Sequence, residues 1–456
     1  MPVRLLDSLS TTEPLAEVFS DRSILGAMLE FEVALARVEA RLQVIPQAAA
    51  DAIASAANPD AFDMDSLSRQ TLRAGTAGIP LAKTFREIVQ KKNPAAAEYV
   101  HWGATSQDVT DSALILLLKR AEPLISNDLA RVEMALRGLA ERHRNTVMLG
   151  RTLLQPSPPI TFGLKAAGWY AAVRRGKERL TKTFADALLL QFGGATGTLA
   201  ALGEKRPEVA RALAAELGLT APDAPWHSHR DRLAALMCSC GVLTGTLGKI
   251  ARDISLMMQA EVGEVTEPGG DGRGGSSTMP HKRNPIGCAV TLAAATRVPG
   301  LVASYLFGMV QEHERGVGGL QSEWSTVASI VQATGVAANA IAEIVEGLHV
   351  DVARMQRNLD ATWGTVFAEK AMILLAPKLG RQAAESLLEE ATRNALAEQR
   401  TLGEILGEMP EVRKHLDPHV LKKLDVAEDY LGSAELFRSQ QLQSSAFGKK
   451  PEKGKD

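Results

Sequence analysis

Along residues 22–43, RSILGAMLEFEVALARVEARLQ, apolar side chains recur at three- and four-residue intervals. That spacing puts them on one face of an α-helix, and the run stops before Ile45 and Pro46. Polar and proline punctuation then recurs to about residue 110, which predicts short helices and loops. The middle of the chain has a different texture. Apolar stretches at 112–145, 161–193, 230–262, 287–313 and 322–347 each run well past the roughly 11 residues of an average helix. The third carries Gly241, Gly245 and Gly248; each weakens an isolated helix by about 1 kcal/mol, so close helix contact has to compensate. Pro299 is expected to bend the fourth. Few segments combine β-branched or aromatic residues with strict alternation. The pattern predicts an all-α protein of three helical domains: 1–111, a central long-helix bundle over 112–355 that includes a loop at 268–286, and 356–440. Residues 441–456 read as a solvated, disordered tail. Helices so long, and apolar around much of their circumference, cannot bury their surface within one compact chain, so the bundle is expected to form a multi-helix core with other copies.

Composition narrows the classes of function. At 456 residues the chain exceeds the roughly 100–200 of a usual single domain. Its 51 Lys and Arg nearly balance 53 Asp and Glu, and no basic stripe precedes residue 440, which argues against nucleic acid or an anionic membrane as a partner. The first residues, MPVRLLDSLSTTEPL, lack the features of a secretory signal. No charge-free apolar run approaches the roughly 18 residues of a membrane span, so a cytoplasmic protein is expected. Cys238, Cys240 and Cys288 are expected to be free thiols, since side chains two apart on a helix do not face each other. The nine histidines do not fall with cysteine or carboxylate at ligand spacing, and His227 and His229 have the wrong separation for one helical face. No metal or cofactor is expected.

The run Gly274–Pro285, GGSSTMPHKRNP, concentrates candidate chemistry. Its glycines supply backbone freedom for closure, Lys282 a fixed positive charge, and Ser276 a hydroxyl that nearby cations would turn into a base. An ordinary Gly/Ser-rich surface loop has the same composition. In YVHWGATSQDVTDS, residues 99–112, a Gly103 turn leads into Thr105, Ser106 and Asp108, the makings of a helix N-terminus that binds anions or is merely capped. In GRTLLQPSPPITFG, residues 150–163, Arg151 suits a carboxylate or a structural ion pair, and Thr152 and Gln155 suit orientation.

These three segments resemble the conserved runs of the fumarase/aspartase superfamily, SSTMPHKRNP being the signature loop. The resemblance implies Ser276 and Lys282 as catalytic residues. It implies His101, Thr105, Ser106, Arg151, Thr152, Gln155 and Asn284 as substrate contacts, together with Arg315, for which Glu312 and Glu314 offer ion pairs instead. It also implies a homotetramer with sites shared between subunits, a small polycarboxylate substrate, and no cofactor. Two departures are informative. Many fumarate-forming members have a histidine after the Arg-Thr pair and a glutamate closing the signature, where this chain has Leu153 and Ala289. An amide or alkoxide leaving group needs a general acid, whereas a carboxylate is already a stable anion. The paired loss therefore points to chemistry in which a carboxylate or similarly weak base attacks or leaves. Phrases such as LQFGGATGTLAALGEK and PWHSHRDR resemble the lactonising branch, the 3-carboxy-cis,cis-muconate cycloisomerases of protocatechuate catabolism, although residues 72–94 depart from its pattern. The competing readings are a lyase forming fumarate by expelling a weak base such as nitrite, an adenylosuccinate lyase, and a non-catalytic structural protein. The proton donor is Ser276, His101 or His281.

Overall fold

The computed structural model describes residues 5, 7–270, 274–275, 278–279 and 282–443. Helix α1 (Asp21–Arg41) starts where the Ser20 hydroxyl accepts the Ser23 backbone N–H at 3.2 Å. Helix α2 (Gly78–Lys92) precedes the long α3 (Ser106–Arg142). A hairpin, β1 (Val147–Thr152) and β2 (Gln155–Thr161), leads into α4 (Phe162–Ala187). Then come α5 (Asp231–Met257), a short strand β3 (Val265–Thr266), α6 (Ile286–Phe307) and α7 (Gly319–Glu346). Strand β4 (His349–Val350) pairs with β3, and α8 (Ala368–Leu379) and α9 (Arg381–Glu398) lie in the C-terminal part. All five long apolar stretches are thus helices, α3 to α7, and the all-α expectation holds. Pro299 lies inside α6 and Pro123 inside α3.

Packing groups the chain into two compact units, each built from three segments: 1–130, 176–248 and 289–340 in one, and 131–175, 249–288 and 341–456 in the other. Helices α3 to α7 span the segment boundaries, so dividing the chain by helix length, at 111 and 355, and dividing it by packing are cuts of different kinds. In the first unit, Phe31, Leu35 and Val38 of α1 join Leu81, Phe85 and Val89 of α2 in one buried cluster. Phe192 meets Phe31 edge-on at 6.2 Å. The second unit's core joins Val147 and Leu149 of β1 to Leu375 of α8 and Leu388 of α9. Within the first core Glu39 is fully buried with neither carboxylate oxygen hydrogen-bonded; burial, and secondarily the charge of Glu32, push its pKa up to about 9.

The β1–β2 hairpin departs from the helical expectation. Its strands pair from Val147↔Thr161 to Thr152↔Gln155, leaving Leu153 and Leu154 as a two-residue turn with φ of 51° and 67°. Two-residue hairpin turns with both φ positive normally use Asn-Gly, so the leucines hold a strained backbone. Gly150 is dictated by close approach, because a Cβ there would lie 2.3 Å from the Pro158 carbonyl oxygen.

Among the described residues three helices, α5, α6 and α7, are long and apolar enough to cross a membrane by length and composition alone, which corrects the expectation that no apolar run approaches that length. In α5 and α7 most of the apolar window is buried within the chain, whereas in α6 only 28% is. Cys238, Cys240 and Cys288 are free thiols. The expected tail from residue 441 begins inside a helix, Ala434–Gln443; residues 444–456 lie outside the described ones.

Candidate active site

In the first unit, α3 begins at Ser106, as the Gly103 turn predicts, with Gly103 at φ 69°. The Thr105 N–H donates to Asp108 Oδ2 at 3.0 Å, so this first turn is capped from within. Arg315 then reaches over it. Its guanidinium donates to Thr105 Oγ1 at 2.8 Å, Ser106 Oγ at 3.3 Å and Gln107 Oε1 at 3.2 Å, and not to Glu312, whose carboxylate takes the Val317 N–H. His101 sits beside this turn with φ 64°. Its Nδ1 lies 2.6 Å from Oε1 of the buried Glu32. Burial is the largest single influence and disfavours the charged ring. The charge and hydrogen bond of Glu32, helped by Asp108, outweigh it and hold His101 above its usual pKa, with Arg86 opposing. His101, Thr105, Ser106 and Arg315 therefore come together, lining a pocket of 550 Å³.

A buried polar network fixes that turn. Asp108 accepts the Gly193 and Gly194 N–H groups at 3.0 and 2.9 Å and lies 2.7 Å from His227 Nε2. Gln107 Nε2 donates to the His227 carbonyl and to Asp111. Asp111 and Glu323 flank Arg230, which is fully buried and stacks over Trp226 at 4.6 Å. Removing one partner from such a buried ion cluster costs about 3–5 kcal/mol. His227, which spacing alone rejects as a metal ligand, serves here as a hydrogen-bond partner.

The second unit holds the remaining candidates. Of the two readings for Arg151, a substrate carboxylate or a structural ion pair, the structure holds the ion pair: Glu264, buried, accepts from the guanidinium at 2.7 and 3.0 Å and from Asn358 at 2.8 Å. Arg151 thus ties the hairpin to the segment leading into β3. Thr152 and Gln155 face each other across the hairpin end. In the signature loop Lys282 is exposed, and Asn284 turns back on the loop, its backbone N–H donating to Gly274 O at 2.9 Å and Nδ2 to Gly275 O at 3.3 Å. Gly274 has φ 67°, and a Cβ there would meet Asn284 O at 2.7 Å. Glu267 receives the Gly287 and Cys288 N–H groups at 3.0 and 2.8 Å, capping α6 with a carboxylate and pinning both ends of the loop. Ser276 and His281 lie outside the described residues.

Comparison with known proteins bears on this geometry directly. Residues 8–300 match the family described as Lyase, and residues 364–438 the one described as Adenylosuccinate lyase C-terminus. Over 96% of its length the chain is 46% identical to a 3-carboxy-cis,cis-muconate cycloisomerase of Bradyrhizobium diazoefficiens, covering 98% of that protein. Its fold matches the 3-carboxy-cis,cis-muconate lactonizing enzyme from Pseudomonas putida with a TM-score of 0.89 at 44% identity, covering 96% of this chain and 98% of the other. The chain belongs to the fumarase/aspartase superfamily. Within the superfamily it is also 40% identical to a nitrosuccinate lyase of Streptomyces davaonensis, over 94% of this chain and 92% of that one. Both the superfamily resemblance and the likeness to its lactonising branch are borne out.

Superfamily motifs made Thr105, Ser106 and Arg315 legible, but not the groups behind them. Glu32 is 69 residues from His101, His227 is 119 from Asp108, and Glu264 is 113 from Arg151. For one of them, Glu32, the sequence held a signal that could have found it, a glutamate amid the apolar positions of α1. Leu153, standing where many fumarate-forming members of the superfamily have histidine, is 97% exposed at the hairpin tip.

Proposed function

We propose that this chain is a cycloisomerase that closes 3-carboxy-cis,cis-muconate to its carboxymuconolactone in protocatechuate catabolism. One substrate carboxylate oxygen forms a bond to a carbon of the facing double bond, closing a five-membered ring. The π pair moves to the carbon next to another carboxylate, and a proton is delivered there. Arg315 with the Thr105/Ser106 turn, and Lys282 on the loop, would stabilise the enolate-like charge, the preorganised electrostatics that usually dominates catalysis. His101, held above its usual pKa by Glu32, is a suitable proton donor, with Ser276 or His281 as the alternatives. Arg151, engaged with Glu264, acts by holding the hairpin. Each site is completed by neighbouring copies in a homotetramer, and we place the enzyme in the cytoplasm.

The observation that carries this reading is Leu153 at the hairpin tip: it cannot protonate a basic leaving group, and a carboxylate nucleophile needs no such acid. Relatives named as cycloisomerases at 46% identity support it. A lyase expelling nitrite also needs no strong acid, and the 40% identical nitrosuccinate lyase favours it as the second reading. The ultraviolet loss of 3-carboxy-cis,cis-muconate separates the two. Diene consumption by wild type, abolished in Ser276→Ala and Lys282→Ala, supports cycloisomerisation. An intact diene alongside turnover of nitrosuccinate replaces it with the lyase.

A further inference from the structure

The pocket bearing His101 and Arg315 has a second wall, which no superfamily motif covers. Helix α2 buries Leu81, Phe85 and Val89, and this fixes which face it turns outward. That outward face, with Lys83, then the adjacent Arg86 and Glu87, then Gln90 on three successive turns, lines the same 550 Å³ pocket. The helix is set tightly against the anion-binding turn, since a Cβ on Gly78 at its start would lie 2.6 Å from the Ser106 carbonyl oxygen. Arg86 is close enough for its charge to act on His101. The lining carries three fixed cations, Lys83, Arg86 and Arg315, against one carboxylate, Glu87. Arg315 is committed to Thr105, Ser106 and Gln107, while Lys83 and Arg86 are exposed to the pocket. A dicarboxylate held at the Thr105/Ser106 turn would leave this wall unused. A tricarboxylate would not.

We infer that Lys83 and Arg86 of α2 recognise the third carboxylate of the substrate, making this helix face the specificity-determining wall of the pocket. The inference rests on the proposed tricarboxylate chemistry, and it gives residues 72–94, where the chain departs from the lactonising pattern, a role in substrate choice. An Arg can grip that carboxylate bidentately, and the neighbouring ammonium adds a second charge-assisted hydrogen bond.

Non-reacting ligands test the inference without relying on turnover. Tricarballylate and glutarate would be titrated calorimetrically into wild type, Lys83→Met, Arg86→Met and, as a control on the same helix outside the pocket, Lys91→Met. Wild type and Lys91→Met are expected to prefer tricarballylate. Arg86→Met and Lys83→Met should each weaken tricarballylate by about 10- to 100-fold, the worth of one charged hydrogen bond, and change glutarate by less than about 3-fold. Arg86→Lys should recover part of the loss. An equal loss for both ligands, a loss merely in proportion to ligand charge, no loss, or no wild-type preference would each overturn the inference. Failure of the proposed function is separable: wild type would then leave the muconate diene intact whatever these titrations show.

Discussion

A group that protonates carbon must carry its proton at the working pH and give it up only when negative charge appears beside it. The Glu32–His101 pair has that property, because Glu32 offsets the desolvation that would otherwise discharge the ring. The pKa of His101 is raised in the folded state. The pair's stabilisation is therefore fully present below the unfolded histidine value of about 6.5 and is lost as pH rises through the higher folded value. Activity that needs the imidazolium falls through the same value. Glu32→Gln keeps the shape and a hydrogen bond but removes the charge, so the alkaline limb of the kcat profile should move to lower pH. An unmoved limb in a folded Glu32→Gln variant would assign the proton to another group. At this scale the sequence displayed what is local. Capping at Thr105 and Asp108 is written within four residues, whereas the partners of His101, Asp108 and Arg151 are brought in by folding from far along the chain.

Helix lengths were readable because a 3.6-residue apolar period persists through many turns, as in α3 and α7. The hairpin was not. Pro156, Pro158 and Pro159 interrupt any alternation in β2, and its turn carries none of the residues that announce one. Two leucines with positive φ cost about 1–2 kcal/mol each relative to a relaxed backbone. Replacing Leu153-Leu154 with Asn-Gly should therefore stabilise the fold by roughly 1 kcal/mol or more, read as a rise in Tm. Strain is retained where something else requires it. If the tip closes a neighbouring copy's site, the same double variant loses turnover while gaining stability. A stabilised variant with full activity would reduce the leucines to tolerated turn residues, and an unchanged Tm would contradict the strain argument itself.

For the whole molecule, the decisive element is α6. It has one charged side chain, Arg297, along Ile286–Phe307, yet only 28% of its apolar window is buried within the chain, and Phe307 near its end is 85% exposed. A helix of that composition left in water would forfeit about 25 cal/mol for every Å² of apolar surface it could cover. The long-helix pattern calls for partners, and the proposed homotetramer would supply them by symmetry. Phe307→Glu places one carboxylate per chain on the surface to be covered, and in a tetramer it brings four of them into the core. On the proposed homotetramer, sedimentation should then show a tetramer for wild type and smaller species for the variant at the same concentration, with activity falling in step with the tetramer fraction. The parallel fall matters most, because a site completed by neighbouring copies cannot work in a separated chain. A Phe307→Glu protein that remains tetrameric would remove α6 from the interface, and a wild-type monomer that keeps full activity on dilution would end the shared-site proposal.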